Sequence, residues 1–246
     1  FRFLSINFSE PLKMILKLGV AALALGALDQ FTLIFIRSVL VKSVGVDSTG
    51  IYQSVAGISN NYFAVFYMSI STYILPVLAE KNDSHEVNIE INSAFRLTLL
   101  LIIPICTITF VAREYIIMIL YTDKFLPAAN LMIYNFAGDF FKALSWVLGA
   151  WLIPSNRIRL WLILGFVYYL NYCVLFLFLN QINNEIRNVV IAYLIAGIIH
   201  FFLNLYFIRK YNGFKFKSGN LKLYLISFAV LCSIFAISSF NLTLGY

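Results

Sequence analysis

Long apolar runs, separated by short polar breaks, constrain this chain more than any other feature. A helix needs about 20 apolar residues to cross the hydrocarbon core of a bilayer. Seven stretches approach or exceed that length: 14–36, 51–78, 94–111, 128–153, 160–179, 189–208 and 221–240. Because an open sheet would leave backbone groups unpaired in lipid, the pattern predicts an all-α fold, a polytopic transmembrane helical bundle of about seven spans.

The polar breaks are too short to hold a soluble domain, so the chain divides only by the character of its spans. We predict a bundle of six spans over residues 1–212, with a short interfacial helix at 113–122 that is apolar on one side and charged at both ends. Residues 213–246 are predicted to form a basic loop and an additional C-terminal span. The chain opens at Phe1 without a methionine or a signal peptide, which favours a piece of a longer protein.

The net charge of +7 is concentrated at the ends of the apolar runs. This distribution indicates orientation in a membrane and does not favour nucleic-acid binding. Alternate breaks place twelve of the eighteen Lys and Arg residues on the side of the N-terminus and five on the other side. The positive-inside rule therefore predicts a multi-pass protein with a cytoplasmic N-terminus.

The three cysteines and two histidines lack the spacing of a metal site. We therefore expect no metal and no cofactor.

Ionisable residues within the apolar runs are the most informative part of the sequence, because they are tolerated in a bilayer only when they face water or a partner. Asp139 and Lys142 are spaced i, i+3 on one helix face, and Asn135 lies on the same face. They either neutralise each other or line an aqueous cavity. Asp29, in the first run, either makes a helix-to-helix hydrogen bond or balances the charge of Lys142 or Arg37.

The second run begins GIYQSVAGISNNYF and mixes amides with tyrosines. Gln53, Asn60, Asn61 and Tyr62 suit sugar hydroxyls, because amides donate and accept hydrogen bonds and aromatic rings stack on the apolar faces of sugars. The alternative interpretation is anchoring by tyrosine at the membrane surface together with helix packing through small residues.

Two strings carry a resemblance to a known family. They are GIYQSVAGISNNYFAVFYMSISTYILPVLAE and YTDKFLPAANLMIYNFAGDFFKALSWVLGAWLI, with IRSVL after the first run as a weaker match. They resemble Wzx-type O-antigen and lipid III flippases of the multidrug/oligosaccharidyl-lipid/polysaccharide exporter superfamily. The resemblance implies the second half of a two-bundle, V-shaped transporter in the bacterial cytoplasmic (inner) membrane, without enzyme activity.

The cargo implied by the resemblance is an undecaprenyl-diphosphate-linked oligosaccharide for O-antigen or a related surface polysaccharide. Polymerase and chain-length regulator proteins would be further partners, besides membrane lipids. For such a cargo we expect the cations Arg37, Lys142, Arg157 and Arg159 to attract the diphosphate. Asp29 and Asp139 would tune these charges or bind a coupling ion.

Two other functions stay open at this point. An ion-coupled multidrug exporter of the same superfamily would share the fold. A membrane polysaccharide polymerase or ligase would also handle polyprenyl-linked glycans, although such enzymes usually need a large external loop.

Overall fold

The computed structural model describes residues 9–81, 83–220, 222–227, 229, 230 and 233, and the described part contains helices and no strand. Five α-helices follow one another: α1 (Ser9–Ala79), α2 (Ser84–Leu120), α3 (Ala128–Gly149), α4 (Ile158–Ile182) and α5 (Arg187–Asn212). Three short 3₁₀ helices, Asp123–Phe125, Ala150–Leu152 and Ser218–Asn220, lie between or after them. The all-α prediction is confirmed.

Gly45 divides α1 into two helices, α1a (residues 9–44) and α1b (residues 46–79). Its backbone has φ 87° and ψ 173°, a conformation that residues with a side chain rarely adopt. Asp29 and Asn60, at nearly equal distances along the chain from Gly45, line the same cavity, so the two helices run side by side in opposite directions. The break between the first two apolar runs is therefore concentrated in a single residue.

Four helices of the described part are long and apolar enough to cross a membrane, and the first of them, Leu12–Ala79, contains both halves of α1. The other three are α2, α4 and α5. The shorter α3 is not among them. It is the most buried helix, packed against α1, α2 and α5. Most of the seventh predicted span lies outside the described residues, and its residues 222–227 are described as helical. The number of seven spans stays a prediction.

The segment predicted as a separate short helix is instead the end of α2. Residues 113–120 continue α2 without interruption, and only Tyr121 and Thr122 lie beyond it. No glycine or proline separates Val111 from Arg113, so the backbone hydrogen bonds of the helix continue through the charged residues. The location of this segment at a membrane surface stays a prediction.

The helices alternate in direction, which gives the bundle two distinct ends. At the end that we call the basic end, α1, α3 and α5 finish and α2 and α4 begin. There Asn92 of α2 donates a hydrogen bond to the carbonyl oxygen of Lys215 at 3.0 Å and accepts one from the backbone N–H of Lys217 at 2.9 Å. At the opposite end, Val44, Pro127 and Asn184 line one cavity of about 590 Å³.

Helices α3 and α5 approach each other closely at a pair of glycines. A Cβ atom at Gly197 would lie 3.1 Å from the carbonyl oxygen of Gly138, and a Cβ atom at Gly138 would collide with the ring of Tyr193. Small residues permit such a close crossing. The crossing places the Tyr193 side chain directly beside the polar face of α3.

Candidate functional site: a polar cluster and cavity around α3

The carboxyl group of Asp139 is buried, with 1% of the residue exposed, and accepts hydrogen bonds from three side chains. The Ser59 hydroxyl donates to Oδ2 at 2.6 Å, the Asn135 amide donates to Oδ2 at 3.2 Å, and the Tyr193 hydroxyl donates to Oδ1 at 2.6 Å. These donors come from α1b, α3 and α5. Both carboxyl oxygens therefore have partners that do not involve a basic side chain.

Lys142 is half-buried on the same face of α3 and has aromatic neighbours instead of an acidic one. Its Nζ atom lies 5.7 Å from the ring centroid of Tyr168 and 5.6 Å from that of Tyr193. Among the described residues, no carboxylate oxygen comes within the 4 Å of an ion pair. Cation–π contacts of this kind contribute about 0.5–2 kcal/mol and leave the ammonium N–H groups free to bind an anion. The Asp139–Lys142 ion pair considered from the spacing is not formed.

Two cavities meet at Lys142 and Asp29, and the walls of both also contain Tyr168 and Tyr169. The smaller, which we call the inner cavity, has a volume of about 30 Å³, which is enough to hold a water molecule. The larger, which we call the basic-end cavity, has a volume of about 460 Å³ and extends toward the basic end between α1, α3, α4 and α5. Ligand sites typically have volumes of about 300–1,000 Å³.

The inner cavity has a wall of tyrosines that also bond to each other. The hydroxyls of Tyr52 and Tyr172 lie 3.1 Å apart, and the rings of Tyr172 and Tyr193 meet at 5.4 Å. This wall links α1b to α4 through a hydrogen bond and α4 to α5 through a ring contact.

A comparison with known protein families shows which family the chain belongs to. The family described as polysaccharide biosynthesis protein matches residues 3–130 of the chain, which is more than half of its length. The chain belongs to this family. The match ends just inside α3, so Asp139 and Lys142 lie beyond the matched residues.

Two curated relatives are similar to this chain, but the similarity covers only part of their own length. They are named lipid III flippase, from Escherichia coli (strain K12) and from Shigella flexneri, and each is 24% identical over 151 residues. The matched region covers 56% of this chain and 36% of each relative. The resemblance to polysaccharide flippases is confirmed by the family and by these names. No solved structure matches the chain.

The structure brings some of the predicted site residues of this family member to the cavities. Asp29, Asn60 and Lys142 line the inner cavity, and Asp139 is buried beside it through its contact with Ser59. Gln53 is half-buried, whereas Asn61 and Tyr62 are exposed, and none of the three lines either of the two cavities.

The predicted arginines lie apart from this cluster. Arg37 is exposed on α1a, eight residues beyond Asp29. Arg157 and Arg159 are exposed at the basic end, where the guanidinium carbon of Arg157 lies 4.1 Å from the ring centroid of Tyr211.

The sequence interpretation did not assign a role to the aromatic walls. Tyr168, Tyr169 and Tyr172 share one side of α4, and the run YYLNYC with its i, i+4 spacing was the available signal. Tyr193 stands alone in its apolar run, and no local pattern marks it. Tyr193 reaches Asp139 only because α3 and α5 cross closely.

Proposed function

We propose that the protein takes part in moving an undecaprenyl-diphosphate-linked oligosaccharide across the bacterial inner membrane, as a flippase and not as an enzyme. This helical bundle would face a second bundle and rock against it in alternating access. Membership of the polysaccharide biosynthesis family and the names of the two relatives support the class of function. The cytoplasmic location of the basic end, and hence of the N-terminus, is part of the proposal.

The observation that carries the proposal is the position of Lys142 in the walls of both cavities. Carrying a diphosphate through hydrocarbon requires the removal of water from its charges at large cost, unless cations replace that water. Lys142 lies at the junction of two cavities, and the acid nearest to it in sequence has other partners. Its ammonium group is therefore available to a phosphate as a point charge.

The other predicted residues take part at different stages in this proposal. Arg157 and Arg159 would attract the diphosphate at the basic end, and Arg37 would do so near the far end of α1a. Asn60 is the amide best placed to contact sugar, while Gln53, Asn61 and Tyr62 would contact it only once the second bundle encloses them. Asp139 would tune Lys142 indirectly, through Tyr193, and Asp29 would do so from across the cavity.

Replacement of Lys142 in the full-length protein tests the proposal. In cells whose surface glycan depends on this protein, Lys142→Gln should lower export about tenfold or more, because a hydrogen bond to a charged group contributes about 1.5–3 kcal/mol. Lys142→Arg keeps the charge and should retain part of the export. Surface glycan and lipid-linked precursor in the inner membrane would be measured together.

The matched control is Lys124→Gln, which removes an exposed lysine at the opposite end. It should leave export unchanged, and immunoblots should show equal amounts of all variants. Normal export by Lys142→Gln would contradict the proposal. So would a loss of export without accumulation of the precursor, since that would place the defect before transport.

A further inference from the structure

Three side chains that line the basic-end cavity carry buried polar atoms for which the described residues provide no hydrogen-bond partner. They are the hydroxyls of Tyr67 and Tyr168 and the Nδ1 atom of His200. Buried polar groups in proteins almost always have a partner, and an isolated exception requires an explanation. Three of the eight unpartnered buried side-chain atoms of the described residues belong to the walls of this one cavity, which favours a partner from a molecule that enters it.

The neighbouring tyrosines show that this part of the bundle can satisfy hydroxyl groups. Tyr193 donates to Asp139 at 2.6 Å, and Tyr52 and Tyr172 bond to each other at 3.1 Å. Tyr67 lines only the basic-end cavity of the two, whereas Tyr168 lines both. Residue type alone therefore does not explain why the hydroxyls of Tyr67 and Tyr168 lack a partner.

The hydrogen bonds of Asn204 show which ring nitrogen of His200 accepts and which donates. The Nδ2 atom of Asn204 bonds to the carbonyl oxygen of His200 at 2.9 Å and to its Nε2 atom at 3.1 Å. An amide nitrogen only donates, so Nε2 accepts and a neutral ring carries its proton on Nδ1. The unpartnered atom is thus a donor, and the two tyrosine hydroxyls can donate or accept. This set fits hydroxyl and ring oxygens.

The remaining wall is partly aliphatic and partly aromatic, and it includes Lys142. Trp146 is fixed by a hydrogen bond from its indole N–H to Ser71 at 2.9 Å, and its ring lies 5.7 Å from that of Tyr67. Trp161 and Tyr169 also line the cavity, and Lys142 lies at its junction with the inner cavity. Flat rings beside hydrogen-bonding groups bind the alternating apolar and hydroxylated faces of a sugar.

We infer that the basic-end cavity is a sugar-binding subsite in which Tyr67, Tyr168 and His200 hydrogen-bond to a glycan while Lys142 holds the adjoining phosphate. The inference rests on the proposed function and deepens it. It assigns sugar contact to residues different from Gln53, Asn61 and Tyr62. Phenylalanine in place of Tyr67 and Tyr168 would keep the rings and remove only the two hydroxyls.

The experiment compares two probes on the purified full-length protein. One is the lipid-linked glycan extracted from cells depleted of this protein, and the other is undecaprenyl diphosphate without sugar. The double variant Tyr67→Phe/Tyr168→Phe should bind the glycan about tenfold more weakly, because each net hydrogen bond corresponds to a factor of about three to ten. Its affinity for undecaprenyl diphosphate should change less than about twofold on the same reasoning.

The control variant is Tyr206→Phe, which removes a hydroxyl from an exposed tyrosine of α5 and should leave both affinities and the melting temperature unchanged. The double variant itself should melt at the same temperature as the wild type or higher, since it no longer buries unpartnered hydroxyls. This thermal readout separates a loss of binding from a loss of folding.

Three results would overturn the inference in distinguishable ways. An equal loss for both probes would mean that the hydroxyls act through the phosphate or the fold. Unchanged affinity for the glycan in the double variant, with wild-type binding intact, would make the hydroxyls packing features and leave the proposed function standing. Wild-type protein that binds neither probe would remove the proposed function and this subsite together.

Discussion

Asp139 accepts hydrogen bonds from side chains of three different helices, so its carboxyl group connects these helices. Removal of its carboxyl group would leave the buried donors of Ser59, Asn135 and Tyr193 without an acceptor. Leaving a buried polar group unsatisfied costs about 1–3 kcal/mol. At the scale of the residue, Asp139 is therefore a structural junction as well as a neighbour of the cavity.

Asp139→Ala should destabilise the protein by on the order of 3 kcal/mol, since several donors lose their partner at once. Thermal unfolding in detergent, followed at the level of the whole bundle, would measure the change. The matched variant is Asp29→Ala, because Asp29 is half-buried and has fewer partners than Asp139: a long hydrogen bond from Gln30 at 3.4 Å and one from Tyr169. A similar destabilisation by both variants would contradict the central position given to Asp139.

At the scale of the element, the crossing of α3 and α5 positions the site. The two helices meet at Gly138 and Gly197, and the Tyr193 ring occupies the space that a Cβ atom of Gly138 would need. The backbone of Leu194 lies 3.4 Å from the same position. A side chain at Gly138 can be accommodated only if the helices separate or Tyr193 moves.

Gly138→Ala should therefore destabilise the bundle by about 1–3 kcal/mol, the usual cost of adding a methyl group to a packed contact. Gly19→Ala provides the comparison, because a Cβ atom at Gly19 in α1a would meet nothing within 4 Å. Alanine is the better helix former, so Gly19→Ala should be neutral or stabilising. Melting temperatures that fall equally for the two variants would argue against the close crossing.

The element scale also shows which parts of the structure the sequence could predict. The apolar runs predicted the helices, and the i, i+3 spacing placed Asp139 and Lys142 correctly on one face of α3. The spacing could not predict that these two side chains form no ion pair with each other. Ser59 and Tyr193, which donate hydrogen bonds to Asp139, lie 80 and 54 residues away from it, so only the tertiary packing brings them together. The end of α2 was mispredicted because charged residues do not by themselves stop a helix.

At the scale of the whole molecule, the basic end and the opposite end should face different compartments. Single cysteines at positions 217 and 124 report on these two ends, because Lys217 follows α5 and Lys124 precedes α3. In intact cells with an opened outer membrane, a membrane-impermeant thiol reagent should label position 124, and position 217 only after the inner membrane is broken. The reverse pattern would invert the orientation predicted from the charges.

Tyr193 connects the two charged residues of α3 through opposite parts of one side chain. Its hydroxyl is bonded to the acid, and its ring lies 5.6 Å from the ammonium nitrogen of Lys142. A rotation of α5 about its own axis would withdraw both contacts in a single motion. Because Lys142 belongs to α3 and Tyr193 to α5, the surroundings of the ammonium group depend on the relative orientation of these two helices.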